Sequence, residues 1–260
     1  MSAYGADNKK LIHEFTNPWY TKMMTSPLTS VTPTIKVDVN MVLRGQGADP
    51  AVIRQRRPRL VTIAEQALAE GLLLIEPVAQ YRIFPVEKIS HQRFTLAGNI
   101  QLTGALLAQH LGCAQQIALL VCTLGPKLEE RISEVMETNP VYGLALDGFG
   151  SAAAEALGLA ICAELEEKAH TSGLFTSVPL NPGMIGWPVE EGQLQIFLAL
   201  EPDSIGVTLN ESCMMSPRKS VSMVLGISNS PFTSGRPCDF CSLNETCRYK
   251  DQGHNLDIKN

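Results

Sequence analysis

The sequence has little positive charge and no long apolar run, and each shortage excludes a class of partner. Its 260 residues carry 21 Lys and Arg against 26 Asp and Glu, a formal net charge of −5. A basic field of the kind that binds phosphate backbones is therefore missing, and we do not expect nucleic acid as a partner. The longest apolar stretches, residues 71–75 and 117–124, fall well short of the roughly 20 residues that cross a bilayer, so we expect no membrane partner.

We expect no secretory leader, and the seven cysteines are an odd number. Small secreted chains use paired cysteines as a disulfide framework, and neither feature fits that pattern. A chain of 260 residues with 45% hydrophobic side chains can bury a core without such cross-links. We therefore expect a soluble, cytoplasmic protein with reduced thiols.

Three of the cysteines, Cys238, Cys241 and Cys247, stand close together near the end of the sequence. The first two form a CxxC pair, and two thiolates on a short turn can hold one ion or one edge of a cluster. The spacing predicts a metal centre in residues 231–260, which we call the cysteine-rich tail. A thiol–disulfide enzyme is disfavoured, because its CxxC would be expected at a helix N-terminus after a strand, whereas this pair follows Pro237.

The identity of the metal stays open at this point, because the fourth ligand is not evident from spacing. Zinc would need another nitrogen or sulfur, and His254 stands seven residues beyond Cys247. An iron–sulfur cluster would need a fourth cysteine, and Cys213 is the nearest one upstream. The remaining thiols are Cys113, Cys122 and Cys162.

Between its two ends the sequence predicts one α/β or α+β domain. Residues 1–35 are polar and aperiodic with scattered aromatics, which indicates an arm that packs on the body, and residues 36–230 form the domain. Helical spacing predicts helices at residues 59–70, 104–111, 127–137, about 141–170 and 191–200. Apolar or alternating runs predict strands at residues 35–43, 72–75, 78–84, 117–123, 205–209 and 220–227. Helices and strands interleave without a low-complexity linker, which favours a single domain.

Two segments of this domain do not fit simple packing. Glu155 stands in a helix of small apolar residues, where a carboxylate needs a partner, water or a ligand. The stretch of residues 179–188 contains three prolines and two glycines. Glycines let a backbone approach a ligand closely, while prolines hold a loop in shape, although a rigid connector would look the same.

These residues carry a resemblance to a known family. The motifs that carry it are Pro182-Gly183, Trp187-Pro188, residues 193–197, residues 205–209, Glu211-Ser212, Pro217 and residues 220–222. Together they resemble the signature of the reactivation (activation) domain of cobalamin-dependent methionine synthase. Residues 123–125 and the helix that carries Glu155 match upstream elements, so the resemblance covers about residues 40–230.

The resemblance implies both a fold and a ligand site. It implies a single C-shaped domain with a curved, mainly antiparallel sheet flanked by helices, which binds S-adenosylmethionine in a shallow groove while cob(II)alamin is reduced and remethylated. Glu155 would correspond to the acidic contact to the ligand's amino acid portion, and Pro182, Gly183 and Met184 to the ligand-binding turn. Glu211 and Ser212 would belong to the same groove, and this implied position favours Cys213 as the fourth metal ligand.

The sequence departs from the family pattern at two places. Pro179 and Met184 stand where the family usually has an arginine and a tyrosine, and losing a guanidinium partner predicts weak binding of S-adenosylmethionine. The second departure is the cysteine-rich tail, which the methionine synthase domain lacks. An iron–sulfur cluster can transfer electrons at low potential, whereas zinc has no redox chemistry.

The two departures together lead to the main functional hypothesis. We expect a stand-alone activation factor that docks on a separate corrinoid (cobalamin) protein and, with a low-potential electron donor, helps to return its cob(II)alamin to the active state in methyl transfer. The expected cofactor is an iron–sulfur cluster, and the cobalamin is carried by the partner. The alternative is a non-catalytic module that binds S-adenosylmethionine or another small ligand and whose tail is ordered by structural zinc.

Overall fold

The structure is a computed structural model, and it describes residues 28–233 together with Asp239 and Glu245. The arm up to residue 27 and the predicted metal ligands Cys238, Cys241, Cys247 and His254 lie outside the described residues. The arm and tail boundaries predicted from the sequence therefore stay predictions.

Residues 28–233 contain seven α-helices and nine β-strands. The helices are α1 (Val39–Gly45), α2 (Pro50–Arg56), α3 (Pro58–Leu74), α4 (Ala105–Leu111), α5 (Lys127–Thr138), α6 (Pro140–Thr171) and α7 (Val189–Leu200). The strands are β1 (Thr29–Val31), β2 (Val78–Ser90), β3 (Arg93–Leu96), β4 (Ile100–Thr103), β5 (Gln116–Thr123), β6 (Phe175–Thr176), β7 (Thr208–Leu209), β8 (Met215–Ser216) and β9 (Ser220–Ser228).

Seven of these strands form one antiparallel sheet. Its order is β4-β3-β2-β5-β9-β6, and β1 pairs with the first part of β2. The first and last strands of this order, β4 and β6, do not pair with each other, so the sheet is open rather than closed into a barrel. The strands β7 and β8 form a separate hairpin. This mixed architecture with an antiparallel sheet confirms the fold class predicted from the sequence.

The central strand β5 is buried along its whole length because helices cover both faces of the sheet. Its alternate residues divide between two cores, as the two-residue period of a strand requires. Leu120 points into the core that contains Phe149 of α6. Leu119 and Val121 point into the other core, which contains Trp187 and residues of α4 and α7. The sheet thus separates an α6 side from an α7 side.

The long helix α6 is the centre of the first helix layer. Among the described helices it is long and apolar enough to cross a membrane, but 61% of its most apolar 18-residue window is buried inside the protein. This is the burial expected of the core helix of a soluble domain. Helix α1 packs closely on it, because a Cβ at Gly45 would lie 1.9 Å from the backbone oxygen of Gly148.

Three secondary-structure predictions were wrong for identifiable reasons. Residues 35–43 are not a strand, because Asp38 caps the N-terminus of α1 by accepting a hydrogen bond from Met41 N at 2.8 Å. Residues 72–75 contain the last turn of α3, since Gly71 does not end the helix but packs against Phe149. In residues 205–209 only Thr208–Leu209 are extended, and they follow a 3₁₀ turn at Pro202–Ile205.

Candidate functional site

The candidate site lies along the outer edge of β9, around Ser222. Val224 exchanges two backbone hydrogen bonds with Leu180, of 2.9 and 2.8 Å, so its amide and carbonyl point away from β5. Alternate residues of an antiparallel strand share this orientation, and the backbone of Ser222 therefore points outward as well. Its carbonyl oxygen accepts a hydrogen bond of 3.1 Å from Asn181 Nδ2.

Helix α6 borders this edge and carries Glu155. Four residues before it, Ser151 Oγ accepts a hydrogen bond of 3.0 Å from Lys219 Nζ, just before β9 begins. Seven residues after it, Cys162 Sγ lies 3.9 Å from Met223 Sδ. This spacing places the three α6 residues on one face of the helix, the face toward β9. Glu155 lies between these two contacts along the helix and is exposed, so α6 carries it on the face toward β9.

The turn at Pro182–Met184 borders the same edge from the other side. Gly183 has a φ of +97°, a conformation that favours glycine, and its N–H donates to the backbone oxygen of Trp187 at 2.8 Å. Trp187 N in turn donates to Met184 O at 3.0 Å, and Trp187 is fully buried. The turn is therefore a closed loop anchored in the α7-side core.

Met184 itself takes part in holding the turn together. Its sulfur accepts a hydrogen bond of 3.4 Å from Asn181 N, and its side chain is partly buried against the core that contains Trp187. The residue at this position therefore supports the turn from within. Sequence reasoning assigned Met184 to the ligand site, and the structure places it in the turn but gives its side chain a packing contact.

Sequence reasoning included Asn181 and Gln193 in motifs but assigned neither to the ligand site. Both side chains form a hydrogen bond with Ser222. Asn181 donates to the backbone oxygen of Ser222, and Gln193 Oε1 accepts from Ser222 Oγ at 3.0 Å. Gln193 is buried on α7, so Ser222 connects the β9 edge to that helix. Neither residue has a distinctive local pattern, because Gln193 stands among Glu191, Gly192 and Gln195, and the bonds to Ser222 depend on how β9 lies against α7.

The remaining predicted groove residues, Glu211, Ser212 and Cys213, lie at the tip of the β7–β8 hairpin. Asn210 Oδ1 shapes this tip by accepting hydrogen bonds from Ser212 N at 2.9 Å and from Met214 N at 3.0 Å. The β7 strand lines a shallow concavity with Leu194, Phe197 and Leu198 of α7. The hairpin thus packs on the α7 side of the sheet, whereas Glu155 is carried by the helix on the opposite side.

The described cysteines differ sharply in their environments. Burial raises the pKa of the Cys162 thiol to about 12 and also raises that of Cys122, so both thiols stay protonated at neutral pH. Cys113 is exposed and Cys213 is half-buried. Within residues 28–233 no group of three or more His, Cys, Asp or Glu side chains could hold a metal ion. The predicted centre would therefore need the tail cysteines.

Comparisons with known proteins support the fold. No protein-family model matches the sequence, and no curated protein matches it. The fold is similar to that in the crystal structure of the MetH reactivation domain bound to AdoHcy, with a TM-score of 0.57. The match covers 77% of this chain and 78% of that chain at 14% sequence identity. At this identity the similarity shows the fold, which is the one that the sequence resemblance implied.

Proposed function

We propose that this protein is a stand-alone activation factor for a corrinoid protein, and that it assists the return of cob(II)alamin to the active state in methyl transfer. The observation that carries the proposal is the fold shared with the MetH reactivation domain. In this protein, the helix that carries the exposed Glu155 and the Pro182–Met184 turn lie on either side of the outer edge of β9. A role linked to the activation of cobalamin-dependent methionine synthase, or of a related corrinoid protein, fits both features.

The β9 edge is the proposed small-molecule site. The MetH reactivation domain was solved with AdoHcy bound, and we infer that an adenosyl ligand would lie between Glu155 and the Pro182–Met184 turn. A carboxylate at this edge can accept hydrogen bonds from a ligand's ammonium group. Pro179 and Met184 offer no positive charge to pair with a ligand carboxylate, and the Met184 sulfur already accepts a hydrogen bond from Asn181 N. Binding should therefore be weak.

The cysteine-rich tail is the proposed electron-transfer element. We assign Cys238, Cys241 and Cys247 as ligands of an iron–sulfur cluster, since clusters of this kind reach potentials of roughly −400 mV and below. A single electron delivered to cob(II)alamin yields cob(I)alamin, and a low-potential donor in the cell would have to recharge the cluster. The chain's own adenosyl site would then matter less than in a domain that traps the reduced cobalt by methylation.

Docking on the corrinoid partner should be transient. The corrinoid protein has to leave for its methyl-transfer partners after activation, and small, partly polar interfaces suit that requirement. Near the β9 edge, the polar residues Ser151 and Glu155 are exposed on α6. A cytoplasmic location follows from the same proposal, because corrinoid methyl transfer and reduced thiols belong to that compartment.

The competing function is a non-catalytic module that binds an adenosyl ligand and carries structural zinc in its tail. The AdoHcy in the MetH structure is the observation that favours it. The two functions differ in metal: an anaerobically purified iron–sulfur protein is brown and contains acid-labile sulfide, whereas a zinc protein is colourless.

The proposed function is tested by anaerobic activation. The protein is mixed with a corrinoid protein in the cob(II)alamin state and a low-potential reductant, and the cob(I)alamin absorbance is followed. An increased rate that the Cys247→Ser variant fails to reproduce supports the activation function. An unchanged rate with every corrinoid protein of the same cell leaves the adenosyl-binding module as the function.

A further inference from the structure

Helix α7 carries apolar side chains on two opposite faces, and within residues 28–233 one of these faces is turned to solvent. Ile196 and Leu200 are buried in the core that contains Trp187. On the opposite face the side chain of Leu198 is 80% exposed and that of Leu194 is 49% exposed. A helix that is apolar all round is normally buried on all sides, so the exposed leucines indicate a surface that a partner covers.

Carboxylates frame the two exposed leucines at both ends. Glu191 stands three residues before Leu194, and Glu201 stands three residues after Leu198. This spacing places the four exposed side chains in one row along the helix, which we call the α7 stripe. At 1.5 Å per residue, its two carboxylates lie about 15 Å apart along the helix axis. Asp203 adds a further carboxylate to the concavity beside Leu198.

The charge of the α7 stripe is not balanced by neighbouring basic residues. In the part of the chain that the structure describes, Glu191, Glu201 and Asp203 form no ion pair with Lys or Arg. No basic residue lines the concavity between α7 and β7 either. The complementary surface is therefore one that presents apolar side chains between two basic ones about 15 Å apart.

A second copy of this chain would fit the α7 stripe poorly. The stripe has a glutamate at each end and two leucines between them, so it reads the same in both directions. Two-fold pairing of α7 with its copy would place glutamate opposite glutamate at each end, whether the helices ran parallel or antiparallel. Like charges that face each other oppose association, so the charge favours a different, basic partner.

The α7 stripe begins close to the proposed adenosyl site. Helix α7 starts at Val189, five residues after the end of the Pro182–Met184 turn. Gln193, the residue before Leu194, accepts a hydrogen bond of 3.0 Å from Ser222 Oγ of β9. A protein docked on the stripe would therefore lie beside the β9 edge.

We propose that the α7 stripe is the docking surface for the corrinoid protein, and that this partner presents an apolar patch between two basic residues. The inference rests on the proposed function, from which it takes the identity of the partner. Leu194 and Leu198 supply the apolar contact, while Glu191 and Glu201 fix the orientation. A contact built on two leucines and an acidic rim is small, which suits a complex that has to dissociate after activation.

The test compares two matched leucine variants of the full chain, Leu198→Gln and Leu73→Gln. Leu73 is an exposed leucine of α3 on the α6 side of the sheet, and glutamine preserves helix propensity at both positions. Anaerobic calorimetry measures the affinity of each variant for a cob(II)alamin-loaded corrinoid protein of the same cell. We expect Leu198→Gln to weaken binding by about tenfold and Leu73→Gln to match the wild type. Equal affinity of the wild type and Leu198→Gln overturns the proposal.

The charged ends of the α7 stripe are tested by the double variant Glu191→Gln, Glu201→Gln. Its affinity for the corrinoid protein should be about threefold weaker than that of the wild type at low ionic strength. The difference should disappear at about 0.5 M salt, because screening removes the attraction between exposed charges. Equal affinity at low ionic strength overturns the assignment of a basic partner surface.

Hydroxyl-radical footprinting of the isolated full chain tests the other possible occupants. Leu194 and Leu198 should be oxidised readily in the isolated monomer and protected when the corrinoid protein is added. Protection already present in the monomer would mean that a segment of the same chain covers the stripe. Protection that increases with protein concentration would mean that a second copy covers it, and either result overturns the proposal.

Binding and cob(II)alamin reduction are measured separately, so the docking surface and the proposed function can fail independently. Binding that Leu198→Gln loses, without faster reduction by the wild type, supports the α7 stripe and contradicts activation. Faster reduction that Leu198→Gln leaves unchanged at limiting protein concentration contradicts the stripe alone. A wild-type protein that binds no corrinoid protein of the same cell contradicts both.

Discussion

Asn181 donates a hydrogen bond of 3.1 Å from its side chain to the backbone oxygen of Ser222, and this bond joins the Pro182–Met184 turn to the edge of β9. The turn is therefore positioned by the sheet. Ser222 is held at the same time by Gln193 of α7. A site whose two sides are fixed in this way needs little rearrangement to bind, which lowers the free-energy cost of association.

Glu155→Gln should weaken the binding of S-adenosylmethionine by about tenfold, because a charge-assisted hydrogen bond to the ligand's ammonium group is lost. Isothermal titration calorimetry measures this directly. Glu167→Gln is the matched control: it is an exposed glutamate on the same helix, about 18 Å further along at 1.5 Å per residue. Equal affinity in the wild type and Glu155→Gln would show that the ligand does not bind beside α6.

Pro179→Arg should strengthen the binding of the same ligand, because it restores a guanidinium at the position where the resembled family has one. A charge-assisted pair contributes about 1.5–3 kcal/mol, or roughly 10- to 150-fold in affinity. The same calorimetric titration compares the variant with the wild type. If the wild type already binds tightly and Pro179→Arg adds nothing, other residues have replaced the missing arginine.

Several parts of the fold could be predicted from the sequence, because local pattern and final structure agree there. The helix at residues 141–170 and the buried strand at 117–123 have long, unambiguous apolar patterns, and both are confirmed. The alternation in residues 35–43 suggested a strand, but it did not decide the structure, because Asp38 starts a helix four residues into that stretch. Local pattern is weakest where a single capping side chain determines the outcome.

The site was predictable only in part, for a different physical reason. Glu155 and Pro182–Met184 were proposed from their composition and from the family resemblance, and their ligand role stays a prediction. The structure places the helix that carries Glu155 and the turn on either side of the β9 edge. The bond between Asn181 and Ser222 spans 41 positions in the sequence, so its existence depends on how β9 lies in the sheet. Similarly, the hydrogen bond from Ser228 Oγ to the backbone oxygen of Cys113 spans 115 positions and depends on where β9 ends.

Lys219→Met should destabilise the domain, because Lys219 joins the start of β9 to α6. Its ammonium lies 2.8 Å from Asp147 Oδ1 and 3.0 Å from Ser151 Oγ, and its side chain is only 12% exposed. We expect a loss of about 1–2 kcal/mol in the free energy of unfolding, measured by urea denaturation. Lys127→Met is the control, since its pair with Glu76 is more than half exposed and should matter much less. Equal effects of the two substitutions would contradict this role.

The stability of the domain should fall in acid partly through Glu70. The Tyr142 hydroxyl, 2.5 Å away, and the Arg131 guanidinium hold the pKa of Glu70 below its ordinary value of 4.5. A carboxyl group whose pKa is lower in the folded state than in the unfolded state stabilises the fold at pH values above its unfolded-state pKa. This stabilisation is lost as the pH falls through the folded-state pKa.

The variant Glu70→Gln should therefore be less stable than the wild type at neutral pH, and the difference should shrink below about pH 4.5. Urea denaturation at a series of pH values measures this. Glu65→Gln, an exposed glutamate on the same helix, should follow the wild-type curve. A Glu70→Gln curve parallel to the wild type throughout would show that the carboxylate adds no pH-dependent stability.

The central claim, activation of a corrinoid protein, is tested most directly by the rate at which cob(II)alamin is reduced. Anaerobic stopped-flow spectroscopy follows the cob(I)alamin absorbance after a cob(II)alamin-loaded corrinoid protein of the same cell is mixed with a low-potential reductant. The account predicts that the full-length wild-type protein accelerates this step and that Cys247→Ser, which lacks one proposed cluster ligand, does not. The same rate with and without the wild-type protein, for every such corrinoid protein, would contradict it.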